Sequence, residues 1–473
     1  MAAAGVLARG IALITGGRVV GLAISLVQVK LSVSYLGPLG YGALTTVILF
    51  VGLFEAFTEL GIGTVVVRRV SAGGNDLERE VGLSMALSLG YGLPLVVICD
   101  VAGLLLYRDQ PDVMFGIVLL SAGLAASTWS SCFLPVAQVK VKFGAYSAAE
   151  LASRILALAV TASAVYFDLG VRWVMVGQLM PSITRFVALQ VWGSRQGRFR
   201  PVWHLREVLT LAKESLPFAY ILIIGVVYYR FDGLMLTKLS TIAAVGAYGL
   251  AYRLAGQLTI IAPIVSNVLI SRFAEDWAED RTKFAATVRM ALRLMTLVCV
   301  PIAVLCWPYA AQAIRLIGSG EFVQSARHPL ILLLVAVAFG MMSDVVSTAL
   351  VVADQQNFLT RLNTTTLVVN VAANAALIPA YGATGAGIAL VCSEALGFFA
   401  AMWRTGTISE SVVEWRSLSV TLALAGVAVA IGFALHDWPW PVSAAIVLAV
   451  YVLGQLATRN VPLATLRAIK THA

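Results

Sequence analysis

Continuous apolar runs of about 18 to 29 residues, separated by short polar or glycine-bearing breaks, set the pattern of this chain from its first residues to its last. Crossing about 30 Å of hydrocarbon at 1.5 Å per residue takes roughly 20 residues. Lipid offers the backbone no hydrogen-bond partner, so runs of this length predict spanning helices that satisfy their own N–H and C=O groups. Barrel strands would be shorter and would alternate apolar with polar positions, which these runs do not. About fourteen spans are predicted, at 11–36, 42–66, 81–107, 113–136, 148–167, 170–192, 215–237, 243–271, 286–307, 329–352, 359–379, 383–403, 416–435 and 441–458.

Composition agrees: the chain is 60% hydrophobic and 12% charged, with a mean hydropathy of +0.89. No water-soluble domain carries that without large exposed apolar patches. The net charge of +9 changes the picture only through its placement. With the N-terminus inside, the internal segments collect Arg9, Arg68, Arg69, Arg79, Lys140, Lys142, Arg195, Arg198, Arg200, Arg206, Lys213, Arg272, Arg281, Lys283, Arg361, Arg404, Arg416, Arg459, Arg467 and Lys470. The external ones hold only Arg108, Arg172, Lys238, Arg315 and Arg327. This bias places both termini in the cytoplasm and accounts for the basic residues without nucleic acid. Arg18 lies inside the first run, which lacks a small-residue exit, so that run reads as a retained helix rather than a cleaved signal.

The polar stretch Ser194 to Glu214 divides the chain near its middle. It predicts a six-helix lobe at 1–193, a basic cytoplasmic linker at 194–214, a second six-helix lobe at 215–404, and two further helices with a short tail at 405–473. A weak repeat supports two like-oriented halves. Gly40-Tyr41-Gly42 before Arg68-Arg69 recurs as Gly246-Ala247-Tyr248-Gly249 before Arg272, and Gly170 to Arg185 recurs as Gly382 to Glu394. No segment outside the spans is long enough to fold alone, so the working chemistry must lie within or at the rim of the helices.

Ionisable groups at bilayer depth cost roughly 2.5–3.5 kcal/mol on insertion scales and are expected to face water or a partner. Arg18, Lys30, Glu55, Glu59, Asp100, Arg230, Asp232, Arg253, Asp344 and Glu394 all fall inside predicted spans. Arg18 and Lys30 are separated by about 18 Å along one helix and roughly 120° around it. With Arg230 and Arg253 they can line a cationic cavity, arginine being suited to gripping phosphate oxygens two at a time. The competing expectation is local neutralisation, or snorkelling of Arg18 and Lys30 to the surface. Arg230 and Asp232, two residues apart, point away from each other and need partners on other helices. Glu55 and Glu59, four apart, are expected to share a face, and either can bind a coupling H+ or Na+ or form a salt bridge instead. Asp232, Asp344 and Glu394 are further coupling candidates.

Other charges read as structural. Glu150 and Arg154 have the acid-before-base spacing of an ion pair on one helix. Arg289 and Arg293 are expected to snorkel to lipid phosphates, and the basic loop at Arg195, Arg198, Arg200 and Arg206 to set topology. Cys99, Cys132, Cys299, Cys306 and Cys392 sit in apolar runs and read as small core residues, while His204, His328, His436 and His472 lie in loops or at span ends. No catalytic constellation, metal motif or cofactor loop is visible, and the expectation is a protein that is not an enzyme.

Several short motifs in order resemble the polysaccharide-transporter (Wzx-type flippase) branch of the MOP flippase superfamily. They are Tyr35-Leu36-Gly37-Pro38-Leu39-Gly40-Tyr41-Gly42, Leu60-Gly61-Ile62-Gly63 before Arg68-Arg69, Tyr229-Arg230-Phe231-Asp232, and Val245-Gly246-Ala247-Tyr248 with Tyr252-Arg253. Ile317-Gly318-Ser319-Gly320-Glu321-Phe322, Val369-Asn370 with Asn374, and the run from Ile378-Pro379 to Ile388-Ala389 complete the set. The resemblance implies an all-α integral membrane fold of two six-helix lobes, MATE-like, plus two C-terminal helices, around a cavity that opens alternately to each side. It implies translocation of an undecaprenyl-diphosphate-linked oligosaccharide across the cytoplasmic membrane, driven by a proton or sodium gradient and serving cell-surface polysaccharide biosynthesis. Expected partners are that lipid-linked substrate, membrane lipids and glycan polymerase or assembly proteins. Cavity arginines on the first and eighth helices of such proteins match Arg18 and Arg253 in type and approximate place only.

Two other readings compete. A MATE-like cation or drug antiporter would favour acidic and aromatic cavity residues and twelve spans. A polytopic glycan polymerase or ligase would need a large external loop, and the segment Ala310 to His328 is short for that.

Overall fold

A computed structural model describes the backbone of residues 2–73, 76–140, 143–409 and 412–461, and the side chains of residues 20–73, 76–140, 144, 147–409 and 412–461 except 221, 260, 263 and 267. Among them the regular elements are all helical. In chain order they are α1 (Ala2–Glu55), α2 (Ile62–Ser71), α3 (Leu77–Tyr107), α4 (Pro111–Ser131), α5 (Leu134–Val139), α6 (Phe143–Tyr166), α7 (Gly170–Ser194) and α8 (Leu205–Leu239). Then come α9 (Ile242–Gly256), a 3-10 turn (Gln257–Ile260), α10 (Ile261–Glu279), α11 (Arg281–Ile317), α12 (Phe322–Val352), α13 (Gln356–Ile408), α14 (Trp415–Ala434) and α15 (Trp440–Ala457).

Eleven helical stretches are long and apolar enough to cross a membrane, or twelve with the bent α8. About fourteen were expected, and two glycines supply the difference. α1 and α13 each contain a residue with non-helical backbone, Gly37 (φ 63°) and Gly382 (φ 55°). A straight helix as long as α13 would reach about 80 Å, more than twice the hydrocarbon thickness. α13 instead doubles back: Asn370 Nδ2 donates to Ser393 Oγ at 3.0 Å across 23 residues, and a Cβ on Gly385 would meet the Leu377 carbonyl oxygen. Each of these two elements therefore supplies two spans. Positive φ costs any residue with a Cβ, which is why glycine holds both turns. Gly170 (φ 78°), the repeat counterpart of Gly382, shares the left-handed backbone and likewise joins two helices.

Proline places two other irregularities. α8 bends by 42° between its Leu205–Tyr220 and Leu222–Leu239 parts, just beyond Pro217, which withholds a backbone donor. The 3-10 turn at Gln257–Ile260 comes directly before Pro263, which has no N–H for the carbonyl of Thr259.

The chain forms two compact units, Met1–Gly246 and Ala247–Ala473. α8 thus packs with the amino-terminal helices, whereas the polar linker had suggested a division near residue 214. In the first unit, the limb of α1 before Gly37 runs parallel to α6 in a constant register. Arg154 Nη1 bonds Ser25 Oγ and the Gly21 carbonyl, Gln28 Nε2 donates to Thr161 Oγ1 at 3.1 Å, and Tyr35 Oη donates to Asp168 at 2.7 Å. Residues 21, 28 and 35 meet 154, 161 and 168, a seven-residue step that keeps one stripe on the seam of two nearly parallel helices. The limb after Gly37 runs antiparallel to α8, with Gly233 against Leu49 and Arg230 against Gly52. Gly246 reaches the backbone of Pro38 and Gly42, so the two copies of the Gly-Tyr-Gly signature touch.

The 194–214 linker is held to this unit. Val202 N donates to the Gly82 carbonyl at 2.9 Å, Arg198 N donates to Glu78 at 3.2 Å, and Phe199 stacks edge-on against the buried Phe133. In the second unit, α10, α11, α12 and α13 enclose a core that includes Phe273, Phe284, Val288, Met341 and Val345. α15 is fastened to α11 by Tyr309–Ser443 (2.7 Å) and Tyr451 to the Leu297 carbonyl (3.1 Å), and Gly432 of α14 lies against Pro308 of α11. Arg293 completes this attachment: it pairs with Glu414 at 3.1 Å and donates to the Asn460 and Arg459 carbonyls. The snorkelling expected of Arg293 is therefore replaced by a clamp, because four oxygens, two of Glu414 and the carbonyls of Arg459 and Asn460, satisfy the guanidinium. Cys392 is exposed, unlike the buried Cys99, Cys132 and Cys299.

Candidate functional site

The charges inside the spans separate into paired and unpaired sets. Arg230, on α8, reaches Glu55 at 3.1 Å and donates to the Ile48 carbonyl at 3.2 Å. The guanidinium lies across Gly52, where a Cβ would stand 1.5 Å from Nη1. Arg230 is thus locally neutralised, by Glu55 rather than by Asp232, which weakens it as a free cation for a ligand. Asp232 is 1% exposed and accepts from the Gly233 N–H at 2.6 Å.

Glu55 and Glu59 do not share a helical face. α1 ends at Glu55, residues 56–61 form turns, and α2 begins at Ile62. Leu60 (φ 46°) and Gly61 (φ 69°) adopt left-handed backbone there. The expected single span at 42–66 is broken because two successive left-handed residues cannot continue a right-handed helix. Glu59 sits in the break with its side chain exposed.

Lys30 and Arg253 contrast with Arg230. Lys30 is exposed on the first limb of α1, and Arg253 is half-buried in the last turn of α9. Among the described residues neither ammonium nor guanidinium has an ion pair or hydrogen bond. Arg18 belongs to the first limb of α1, and its side chain lies outside the described residues. In the second unit Asp344 accepts from Ser266 Oγ at 2.5 Å. Glu394 is 8% exposed and lies over Gly340 of α12. Asp100 keeps a buried Oδ1 without a hydrogen-bond partner among the described residues.

A second group of charges lies where α2, α3 and the start of α8 meet in the first unit. Arg69 pairs with Glu80 and Glu214, each at 3.0 Å. Arg68 reaches Glu214 at 3.0 Å, and Arg79 reaches Glu207 at 2.7 Å. Glu207 and Glu214 precede the apolar part of α8. Hydrogen bonds from Arg69, with the adjacent Arg68, hold the Glu214 carboxyl below the usual range, and Arg79 does the same to Glu207.

One cluster was legible only in part. The Glu150–Arg154 pair forms as its spacing predicts, at 3.0 Å. Arg185 on α7 also approaches Glu150, at 3.5 Å. Arg185 was not singled out from sequence because it lies 31 residues beyond Arg154, and only the α6–α7 hairpin brings the two together. Among the described residues no group of His, Cys, Asp and Glu converges as a metal site would require.

Spans that reverse at glycines, and charges held within apolar helices, define a multi-pass membrane protein. Solved structures share this architecture. A lipid II flippase, MurJ, in an inward closed conformation superposes with a TM-score of 0.78 at 13% identity, covering 95% of this chain and 99% of that one. An inward-facing multidrug resistance MATE family transporter of the MOP superfamily gives 0.64 at 16% identity, over 82% and 95%. A MOP superfamily transporter from Pyrococcus furiosus, whose binding pocket is described as reversed in polarity, gives 0.55 at 15% identity, over 84% and 96%. The fold is that of the MOP superfamily. A family described as polysaccharide biosynthesis protein matches residues 35–327, and the chain belongs to that family. No curated protein matches it. The solved proteins that share its fold are a flippase and transporters.

Proposed function

We propose that the protein is a flippase that carries an undecaprenyl-diphosphate-linked oligosaccharide across the cytoplasmic membrane by alternating access. The observations that carry this reading are two cations in apolar helices without an ion pair among the described residues, exposed Lys30 in the first unit and half-buried Arg253 in the second, in a chain of the polysaccharide biosynthesis family. A cation held without a partner in an apolar span is expensive unless water or an anion meets it. A diphosphate supplies such an anion, and two phosphate groups match guanidinium donors by charge-assisted hydrogen bonds. The likeness of the fold to a lipid II flippase supports an amphiphilic cargo. Arg230 contributes less in this reading, since Glu55 already occupies it. Arg18 is a further cationic candidate by its place in the sequence of the first limb of α1.

Transport of this kind against a gradient needs an energy source, and a proton or sodium ion fits the acidic groups in the spans. Glu55, which Arg230 engages, and Glu59, Asp232, Asp344 and Glu394 are the candidates. The protein would act in the cytoplasmic membrane with both termini inside, handing its cargo to glycan polymerase or assembly proteins on the far side.

In a host that depends on this gene for a surface polysaccharide, Arg253→Gln is expected to abolish export while the protein remains in the membrane at normal level, and the lipid-linked intermediate should accumulate inside. Full export by both Arg253→Gln and Arg18→Gln would remove the cationic-lining reading. Efflux of organic cations by the wild type, without effect on the glycan intermediate, would favour the antiporter seen in the MATE-like folds.

A further inference from the structure

We propose that Arg154 and Arg185, gathered about Glu150 in the inner part of the first unit, form a second anion subsite that takes a phosphate or diphosphate group. The proposal rests on the flippase reading for its physiological ligand, but its chemistry stands on the cluster alone.

Arg154 lies six residues into the span beginning at 148, and Arg185 seven residues before the end of the one closing at 192. Both are therefore about 10 Å inside the apolar segments. They share a single carboxylate, Glu150, at 3.0 Å and 3.5 Å, which leaves the cluster with one uncompensated positive charge. Arg154 is well held, donating to Glu150 and to Ser25 Oγ at 2.6 Å. Arg185 is not. It makes no hydrogen bond among the described residues, its Nε is buried without a partner, and its approach to Glu150 is long for a hydrogen bond.

A guanidinium carries five donors in a planar fork, and leaving them unmet within a membrane span is costly. The side chains are 38%, 31% and 33% exposed for Arg154, Arg185 and Glu150, so the cluster is open rather than sealed in the helix seam. An open, net cationic cluster with idle donors matches a tetrahedral oxyanion, which would take the Arg185 fork and the outer edge of Arg154. Glu150 then acts as the competitor that sets the affinity, releasing the arginines as the anion arrives. Above this cluster the seam of α1 and α6 closes, with Thr161 fully buried against Gln28, so an anion entering from the inner side stops here.

The test measures binding of inorganic pyrophosphate to the purified full-length protein in phosphatidylcholine nanodiscs, with thermal midpoints in parallel. Arg185→Gln should weaken binding by about tenfold, and Glu150→Gln should strengthen it, each with the protein still folded. A purely structural ion-pair cluster behaves otherwise: Glu150→Gln would lower the midpoint without tightening pyrophosphate, and that result overturns the proposal. Unchanged affinity in Arg185→Gln also overturns it. Repeating the titration with phosphatidylglycerol in the disc separates the sources. Competition by this lipid assigns the subsite to a lipid headgroup, and its absence assigns it to a diphosphate cargo. The parent reading is tested separately by Arg253→Gln. Loss of export in Arg253→Gln together with unchanged pyrophosphate affinity in Arg185→Gln and Glu150→Gln means that only the subsite has failed. A changed pyrophosphate response with glycan export unaffected by Arg253→Gln means that only the parent reading has failed.

Discussion

Arg230 and Glu55 illustrate how a single missing Cβ governs a charge pair. The guanidinium rests in the space left by Gly52 and reaches both the Ile48 carbonyl and Glu55. The side chains are 31% and 52% exposed, so the pair itself contributes at most about 1 kcal/mol after screening. Packing is the larger quantity. Gly52→Val is expected to cost about 1–3 kcal/mol by displacing the guanidinium, whereas Glu55→Gln should cost less than about 1 kcal/mol. Thermal denaturation in detergent checks the order, and a Glu55→Gln loss larger than that of Gly52→Val would contradict it. Sequence spacing correctly denied Arg230 a partner on its own face, because residues two apart on a helix diverge. It placed Glu59 on the face of Glu55, however, because nothing in the four-residue interval reveals that the helix ends between them.

At the scale of elements, the Arg68, Arg69 and Arg79 network ties α2, α3 and the start of α8 together. Arg69 is 15% exposed and neutralises Glu80, which is 3% exposed, while Arg68 is 58% exposed and reaches only Glu214. Arg69→Ala should therefore destabilise by about 2–4 kcal/mol, since it removes the cation that meets a buried carboxylate, and Arg68→Ala by no more than about 1 kcal/mol. Hydrogen exchange across 194–214 should rise in the first variant and stay near wild type in the second. The Glu214 carboxyl is held low by Arg69 and Arg68. A group whose folded value lies below its unfolded one stabilises fully at higher pH and loses that contribution as pH falls through the folded value. The linker should loosen only once the pH has fallen below the ordinary glutamate range, seen as the same rise in exchange. The turn at Gly382 yields a further expectation: Gly382→Ala should cost about 1–2 kcal/mol through the left-handed backbone, and Gly382→Val more.

For the whole molecule, the testable matter is which side each loop faces. The basic bias puts 194–214 inside and the turn at 318–321 outside. In a cysteine-free background, a cysteine at Gly197 should resist a membrane-impermeant maleimide in intact cells and one at Gly320 should react; the reverse pattern would invert the topology. Arg293 matters at the same scale, because it joins α11 to the chain flanking α14 and α15. Arg293→Ala should increase exchange in α14 and α15 while leaving α12 and α13 protected.

The apolar rhythm alone was enough for the membrane class, the approximate spans and the reversal points near residues 37 and 382, because lipid demands about 20 apolar residues per crossing and a left-handed turn demands glycine. The Glu150–Arg154 pair was equally readable, being local to one helix. Tertiary structure alone decided that Arg230 meets Glu55, that Arg293 is a clamp, and that Arg185 joins Arg154. Each of those contacts joins residues on different helices, and what brings them face to face is packing in three dimensions, which periodicity along one helix does not encode.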